Sequence, residues 1–177
     1  MLPVGEAQVS ERGTRIEIVE REGDRMSFER SYAPNTGKAD PHLHQDFTQT
    51  WHCVSGSGGL EVEGGEREFT VGDRVEIAPN TPHRDPWNPG EGELIVRASF
   101  DPCNEFIEAY AEAWAHHLTK GTTNSQDEMP LLQIIQIANE TDGRSYRAGV
   151  PVALQRATGP LVAWLARRRG YRARYDD

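Results

Sequence analysis

The sequence predicts a mainly β fold, a sandwich or closed barrel of short strands, with a C-terminal α-helical extension. Before about residue 101, short runs of alternating polar and apolar side chains are separated by Gly, Pro, Asn and Asp, which is typical of sandwiches and barrels rather than of βαβ units. After it, apolar residues recur at three- and four-residue steps, which is the period of a helix. The chain has 177 residues, about the length of one domain.

The strands are predicted from the alternating runs. The first two, 14–20 and 25–32, flank Gly23-Asp24, a dipeptide typical of hairpin turns. Five further runs have the length and the flanking residues of strands, namely 49–55, 59–62, 66–71, 74–78 and 93–100. We therefore divide the chain into a β-barrel, residues 1–100, and a helical extension, residues 101–177. The extension is expected to pack on the barrel or in an oligomer interface.

The first predicted helix follows Asp101-Pro102, since an N-cap residue before Pro is a typical helix start. Phe106, Tyr110 and Trp114 would form an apolar stripe on this helix, which should end near Gly121. Apolar stripes and exposed strand edges tend to be covered by a partner, so we expect a homodimer.

Two more helices are predicted in the extension. Pro130 should begin an apolar helix. The third should run from about residue 151 to 169, with an interruption at Gly159-Pro160 and an end at Gly170.

Charge and hydropathy exclude several classes of function. The net charge is −9, with acidic residues spread along the chain, which argues against a nucleic-acid partner. The basic run 167–169 is interpreted as a solvated helix end. No apolar stretch approaches the length of a membrane span and the N-terminus lacks the apolar region of a signal peptide, so we expect a cytoplasmic protein without membrane contact. Cys53 and Cys103 are expected to be free thiols.

Three histidines and a glutamine form the candidate metal site. His42 and His44 lie two residues apart, so in a strand both imidazoles point to the same face. Gln49 can return on the neighbouring strand, and His83 follows the turn at 80–82. Three imidazoles and an oxygen donor suit zinc, iron, manganese, nickel or copper, with one or two positions left for water or substrate. The alternative is that the His-x-His pair is solvated on a surface strand.

The spacing around these residues resembles the two motifs of the cupin superfamily. The first runs Gly, His-x-His, three or four residues, Glu, six residues, Gly, and residues 41–56 read PHLHQDFTQTWHCVSG. The second runs Gly, five residues, Pro-x-Gly, two residues, His, three residues, Asn, and residues 72–88 read GDRVEIAPNTPHRDPWN. The resemblance covers roughly residues 14–100. It implies a cupin-type double-stranded β-helix (jelly-roll) barrel that holds one divalent metal ion through His42, His44 and His83, with Gln49.

The chain departs from the family pattern in several places. Gln49 replaces Glu, and whether this weaker, neutral donor binds the metal or hydrogen-bonds a bound water stays open. Asn80 replaces Gly and tolerates the same positive-φ turn. The remaining differences are small shifts or replacements, which concern Gly37, Ala78, Pro79, Trp87 and Asn88.

The resemblance implies a metal-dependent enzyme acting on a small organic molecule in the barrel. A three-histidine site with open positions resembles the cupin dioxygenases, and neutral ligands favour the ferrous state that binds O₂. The leading hypothesis is therefore a dioxygenase-like oxygenase with iron or zinc. Cyclases, isomerases and lyases also use this barrel, so these activities are alternatives, as is a cupin that binds a small molecule without catalysis.

Further candidate residues line the predicted strands. Alternation from Gln49 places Trp51 and Cys53 inside the barrel and His52 outside. Trp51 and Trp87 are candidate substrate contacts, with ordinary barrel packing as the alternative. No catalytic residue is assigned, because the inward or outward orientation of four polar side chains stays open: Glu29, Arg30, Tyr32 and Arg97.

Overall fold

The computed structural model describes residues 2–175, which form two facing antiparallel sheets and three helices. The strands are β1 Ala7–Val9, β2 Arg15–Glu22, β3 Arg25–Tyr32, β4 His42–His44, β5 Thr48–Ser55, β6 Ser57–Val62, β7 Gly65–Thr70, β8 Arg74–Ile77, β9 His83–Trp87, β10 Leu94–Asp101 and β11 Ser145–Arg147. The helices are α1 Glu105–Thr119, α2 Leu131–Glu140 and α3 Val152–Arg168.

The six-stranded sheet has the order β1-β2-β3-β10-β5-β8 and the five-stranded sheet has the order β11-β4-β9-β6-β7. Neighbours such as β3 and β10 lie far apart in sequence, which is the connectivity of the double-stranded β-helix predicted above. Within the described residues the two sheets share no hydrogen-bonded edge, so side-chain packing, rather than strand pairing, holds them together.

The β2–β3 hairpin forms as predicted. Ile16 and Ile18 on β2 and Phe28 on β3 are buried, which is the period-two pattern of a strand with one face in the core. Gly23 has φ 58° in the two-residue turn, a backbone region that favours glycine.

The first helix begins later than predicted. Asp101 is the last residue of β10 and pairs with Thr48 of β5, so the strand continues through the expected cap. Asn104 caps the helix instead, and its Oδ1 accepts a hydrogen bond from the backbone N–H of Ile107 at 3.1 Å.

The apolar stripe of α1 is covered by the chain itself. Phe106 and Trp114 are 4% and 0% exposed, and both belong to the core that includes Phe28 and Trp51 of the barrel. The stripe is therefore no argument for a dimer, contrary to the expectation above. Exposed apolar side chains lie on α3 instead, among them Leu154, Leu161, Trp164 and Leu165. The homodimer itself stays a prediction.

The second and third helices follow the predicted pattern with one correction. Pro130 precedes α2 and Gly170, with φ 91°, follows α3. The expected interruption at Gly159-Pro160 is absent, because α3 is continuous across Pro160. Pro160 is exposed, so water can satisfy the carbonyl that its missing N–H leaves without a partner. Among residues 2–175, no helix combines the length and apolarity that crossing a membrane requires.

A strand of the extension enters the second sheet, which was not predicted. Ser145, Tyr146 and Arg147 of β11 pair with His44, Leu43 and His42 of β4. By contrast, β4 pairs with β9 only where His42 lies opposite His83. The extension is thus hydrogen-bonded directly to the strand that carries two of the candidate ligands.

Candidate metal centre

The structure brings the four predicted metal-site residues together. His42 and His44 lie on β4, Gln49 on β5 and His83 on β9. The rings of His42 and His83 have centroids 4.4 Å apart, and those of His44 and His83 are 5.0 Å apart. Gln49 Oε1 lies 3.0 Å from His83 Nε2 and 3.3 Å from His44 Nε2. The ligand atoms of His42 and His83 lie within 4.8 Å of one another, whereas His44 does not belong to this close group. Metal ligation by any of the four residues stays a prediction.

Backbone carbonyls orient two of the imidazoles. His83 Nδ1 lies 2.9 Å from the carbonyl oxygen of Thr81, and His42 Nδ1 lies 3.1 Å from that of Asp40. A carbonyl oxygen can only accept, so each Nδ1 carries the proton and each Nε2 presents its lone pair when the ring is neutral. This second hydrogen bond is how metal-ligating histidines are commonly held.

The amide of Gln49 fits a cation in its present orientation. With its lone pair on Nε2, His83 faces an amide oxygen that is also an acceptor, and two acceptors at 3.0 Å repel unless a cation lies between them. Turning the amide by half a turn would let its NH₂ group donate to the imidazoles instead. The first orientation corresponds to the ligand role left open for Gln49. In the second the amide would hydrogen-bond the imidazoles, a role distinct from the hydrogen bond to a bound water considered above.

Burial keeps two imidazoles neutral. Burial, aided by His83 and His42, lowers the pKa of His44 from 6.5 to about 3. Burial and His42 lower the pKa of His83 from 6.5 to about 4. Neutral imidazole is the form that binds metal ions, so neither nitrogen needs to lose a proton at neutral pH.

Asp85 is a donor that the sequence analysis missed. Its Oδ1 lies 3.6 Å from His83 Nε2 and 3.7 Å from His42 Nε2. The ligand atoms of these three residues all lie within 4.8 Å of one another. Asp85 is 5% exposed, and its Oδ1 has no hydrogen-bond partner among the described residues. An orphaned carboxylate oxygen beside imidazole lone pairs is a donor set that suits a divalent cation.

The carboxyl of Asp85 is ionised. Burial alone would raise its pKa, but His42, His83 and Arg30 outweigh burial and hold the pKa below its ordinary value. A sequence pattern could have found this residue, because Asp85 follows His83 by two positions. That is the same-face spacing that singled out His42 and His44.

Arg30 points inward, which settles an orientation that the sequence left open. It is fully buried, and its Nη2 donates to Glu128 Oε1 at 2.9 Å while Nη1 lies 3.8 Å from Asp85 Oδ2. Its guanidinium lies 3.6 Å from the centroid of the Trp114 ring and 4.7 Å from that of Tyr32, which is also buried.

The other two residues of that group point outward. Arg97 and Glu29 are neighbours on β10 and β3, and Arg97 Nη2 donates to Glu29 Oε1 at 2.6 Å on the outer face. They are therefore remote from the cavity described next.

A cavity of about 630 Å³ opens from the candidate ligands into the space between barrel and helices. His42, His44, Gln49 and Asp85 line it on the barrel side. Its other walls are mainly aromatic and aliphatic, with contributions from α1, α2, α3 and β11. Its volume lies within the range of small-molecule sites. The extension thus forms a large part of the wall.

The two tryptophans proposed as substrate contacts lie elsewhere. Trp51 is fully buried in β5, between Ala98 of β10 and Val75 of β8. It is not one of the residues that line the cavity. Trp87 borders a second, shallower depression, where Lys38 Nζ lies 4.6 Å from the centroid of its ring. Substrate contact by either tryptophan stays a prediction.

Other expectations around the motifs hold. His52 lies half-buried on the outer face of β5, whereas Cys53 is buried, and both cysteines are free thiols. Asn80 has φ 68°, the left-handed conformation expected where it replaces glycine. Asn88 is a structural residue, since its Nδ2 donates to the carbonyl oxygen of Tyr32 at 3.0 Å.

The match to one protein family agrees with the fold. A family model described as a cupin domain matches residues 28–99. No curated protein matches the chain. The chain is similar to the solved structure of KdgF from Halomonas sp., at 22% identity over 58% of this chain and 93% of that one, with a TM-score of 0.48.

Two further solved structures are similar. A cupin 2 conserved barrel domain protein from Salinispora arenicola is 19% identical over 56% of this chain and 86% of that one, with a TM-score of 0.45. A sugar phosphate isomerase from a cupin superfamily, from Silicibacter pomeroyi, is 14% identical over 54% of this chain and 69% of that one, with a TM-score of 0.47.

Proposed function

We propose that this chain, which belongs to the cupin superfamily through residues 28–99, is an enzyme that uses one divalent metal ion to convert a small organic molecule. The observation that carries the proposal is the convergence of the donor atoms of His42, His83 and Asp85 beside a cavity with mainly apolar walls. The proposed ligands are the three imidazoles and one or two side-chain oxygens, from His42, His44, His83, Asp85 and Gln49.

A dioxygenase-like oxygenase is the first candidate activity. Two histidines and one carboxylate, here His42, His83 and Asp85, are the ligand type of non-haem ferrous oxygenases when open positions remain. Ferrous iron, when bound, would supply the activation of O₂. The residues of this chain would hold the metal, and the aromatic walls would contact the apolar part of the substrate.

A cyclase, isomerase or lyase is the second candidate, and one observation favours it. Glu128, a buried carboxylic acid on the loop between α1 and α2, lines the same cavity as the donor residues. Such reactions need a group that moves protons close to a Lewis-acidic metal. Zinc or manganese would supply that Lewis acidity, and the donor set suits either ion.

Metal analysis of protein purified without chelators tests the proposal. One equivalent of metal in the wild type and in His52→Ala, with much less in His83→Ala, would support it. Iron together with substrate-dependent O₂ uptake would favour the oxygenase, and zinc without O₂ uptake would favour the second candidate. A wild-type protein that holds no metal after purification without chelators would refute the metal-dependent function. A metal-loaded protein that binds small molecules but converts none would be the non-catalytic cupin.

A further inference from the structure

Glu128 is buried beside the candidate metal centre, on a segment that the cupin motifs do not include. We propose that Glu128 is a catalytic acid–base residue, and that it takes a proton from a substrate of low polarity bearing an acidic C–H or O–H group. This inference rests on the proposed function, because the metal site would hold the substrate oxygen next to that group.

Glu128 is fixed in place and one of its oxygens is unengaged. The residue is 6% exposed, and Oε1 accepts the hydrogen bond of Arg30 Nη2 at 2.9 Å. Its backbone is held by Asn124, whose Oδ1 accepts from the Glu128 N–H at 3.1 Å and whose N–H donates to the Glu128 carbonyl at 2.9 Å. Oε2 accepts no hydrogen bond from residues 2–175, although the side chain borders the cavity. An oxygen in this position can receive a proton from a bound molecule.

The surrounding charges are not those of a simple structural ion pair. Arg30 lies between two buried carboxylates. Its Nη2 is 2.9 Å from Glu128 Oε1, and its Nη1 is 3.8 Å from Asp85 Oδ2. One buried carboxylate would neutralise the guanidinium, and each additional buried charge is costly unless it is paired. The second negative charge has a use if Asp85 binds a cation and Glu128 exchanges a proton.

The proton affinity of Glu128 suits this role. Burial raises its pKa to about 7, although Arg30 opposes the change. A group with a pKa near the working pH is the most effective acid–base catalyst, because it is present in both forms. The position of Glu128 beside the cavity and its raised pKa therefore both suit proton exchange with a bound molecule.

The cavity walls indicate the class of substrate. They are built largely from apolar side chains, among them Phe28, Phe47, Phe100, Phe106, Ile107 and Ile134. These walls suit the apolar part of a substrate, and polar side chains of the same cavity, such as Asn124, Asn139 and Ser145, leave room for a small number of substrate oxygens.

The cations around the cavity do not favour a highly charged substrate. Lys38 Nζ lies 3.4 Å from Glu66 Oε1, and Arg147 Nη2 lies 3.3 Å from Asp40 Oδ2. Arg156 is exposed and adds no buried positive charge. The site therefore fits a mainly apolar molecule with one oxygen for the metal and one acidic hydrogen.

The proposed step is a proton transfer in which all atoms are conserved. The C–H or O–H bond of the substrate breaks, its electron pair stays on the substrate, and the proton forms an O–H bond with Oε2 of Glu128. Oε1 continues to accept from Arg30, so the neutral acid keeps its position. Return of the proton to another atom of the substrate, or to a leaving group, restores the carboxylate.

The first test measures the carboxyl group directly in metal-free protein. Carbon-13 NMR of protein labelled at its glutamate carboxyl carbons should show a signal with a pKa of about 7, well above the ordinary glutamate value of about 4.3, and this signal should be missing in Glu128→Gln. A Glu128 signal that titrates like an exposed glutamate would overturn the proposal.

The second test uses zinc-loaded protein and phenylacetone, an apolar ketone with exchangeable C–H groups beside its carbonyl. In D₂O the wild type should incorporate deuterium, and Glu128→Gln should do so about 10²–10⁴-fold more slowly. The zinc content and phenylacetone affinity of Glu128→Gln should stay within about twofold of the wild-type values, because the amide keeps the shape of the side chain. Glu29→Gln is the matched control, since Glu29 also pairs with an arginine, but on the outer face.

The outcomes separate this proposal from the one on which it rests. Zinc-loaded wild type that exchanges no deuterium, or a Glu128→Gln variant as fast as the wild type, would overturn the role of Glu128 and leave the metal site intact. Wild-type protein that binds no zinc would remove the metal-dependent function itself, and the role of Glu128 with it.

Discussion

Gln49 Oε1 lies 3.0 Å from Nε2 of His83, the imidazole nitrogen that carries the lone pair when the ring is neutral. The contact is unfavourable between two acceptors and becomes favourable when a cation, or a reversed amide, lies there. The effect of Gln49 substitutions on metal affinity therefore distinguishes a metal ligand from a residue that only forms hydrogen bonds.

We predict that Gln49→Ala keeps its metal, because the close group of His42, His83 and Asp85 remains. Gln49→Glu should bind metal about tenfold or more tightly, since a second negative charge faces the ion in a partly dry cavity. Competition with a chromophoric chelator measures both affinities. If Gln49→Ala loses its metal as completely as His83→Ala, the amide is an essential ligand and this prediction fails.

Asp85→Asn should weaken metal binding by at least about 100-fold, the upper end of what losing an outer-shell partner costs. The amide has nearly the same shape but no charge, so the variant tests charge rather than packing. Asp73→Asn is a suitable control, because Asp73 is exposed and hydrogen-bonds Thr70. Equal affinities of Asp85→Asn and wild type in the chelator assay would show that Asp85 is not a ligand.

His42→Ala, His44→Ala and His83→Ala should each lower bound metal well below one equivalent. His52→Ala should not, because its side chain lies on the outer face of β5. Elemental analysis of protein dialysed against metal-free buffer provides the count. A requirement for His52 together with a dispensable His44 would contradict the strand register described here.

The metal-free protein should lose stability on acidification, and His83 should account for part of the loss. Its pKa falls from 6.5 to about 4 on folding, so between these values the unfolded chain binds more protons than the folded one. This contribution to the free energy of unfolding is complete above about pH 6.5. It is lost as the pH falls toward 4, and the loss is no more than about 1.4 kcal/mol per pH unit.

Urea unfolding at several pH values, in the presence of a chelator, measures this effect. The stability difference between wild type and His83→Gln should shift in favour of the variant as the pH falls from about 6.5 to about 4. A difference that stays constant across this range would show that His83 is not held neutral by the fold.

Arg30→Met should destabilise the protein by about 3–5 kcal/mol, because it leaves Glu128 and Asp85 buried without their cation. Adding Glu128→Gln to this variant should restore part of the loss, since one of the two uncompensated charges is then gone. Urea unfolding of the single and double variants measures the coupling. An Arg30→Met variant as stable as the wild type would show that the carboxylates do not depend on Arg30.

The sequence predicts the parts of the site that depend on local spacing. His42 and His44 share a face because strands alternate, and the distance to His83 follows from the cupin motif. Asp85 obeys the same alternation, but it falls among the three unspecified residues that follow His83 in the second cupin motif, so the motif does not single it out.

Glu128 could not be found in this way. It reaches the cavity only because α1 packs on the barrel and the following loop approaches Arg30, and a loop residue has no period that records such packing. The short strand β11 was missed for a related reason, because three residues are too few to show alternation.

Because β11 pairs with β4, binding of a metal ion by His42 and His44 would be thermodynamically linked to the docking of the C-terminal segment. Three residue pairs join β4 to β11, whereas one pair joins β4 to β9, so undocking the extension would leave the His42–His44 strand with little lateral support. A ligand that binds only the docked state must stabilise that state by the same free energy by which docking improves its binding. Protease resistance and amide exchange in the C-terminal segment should therefore report metal occupancy from a distance, without any probe at the histidines themselves.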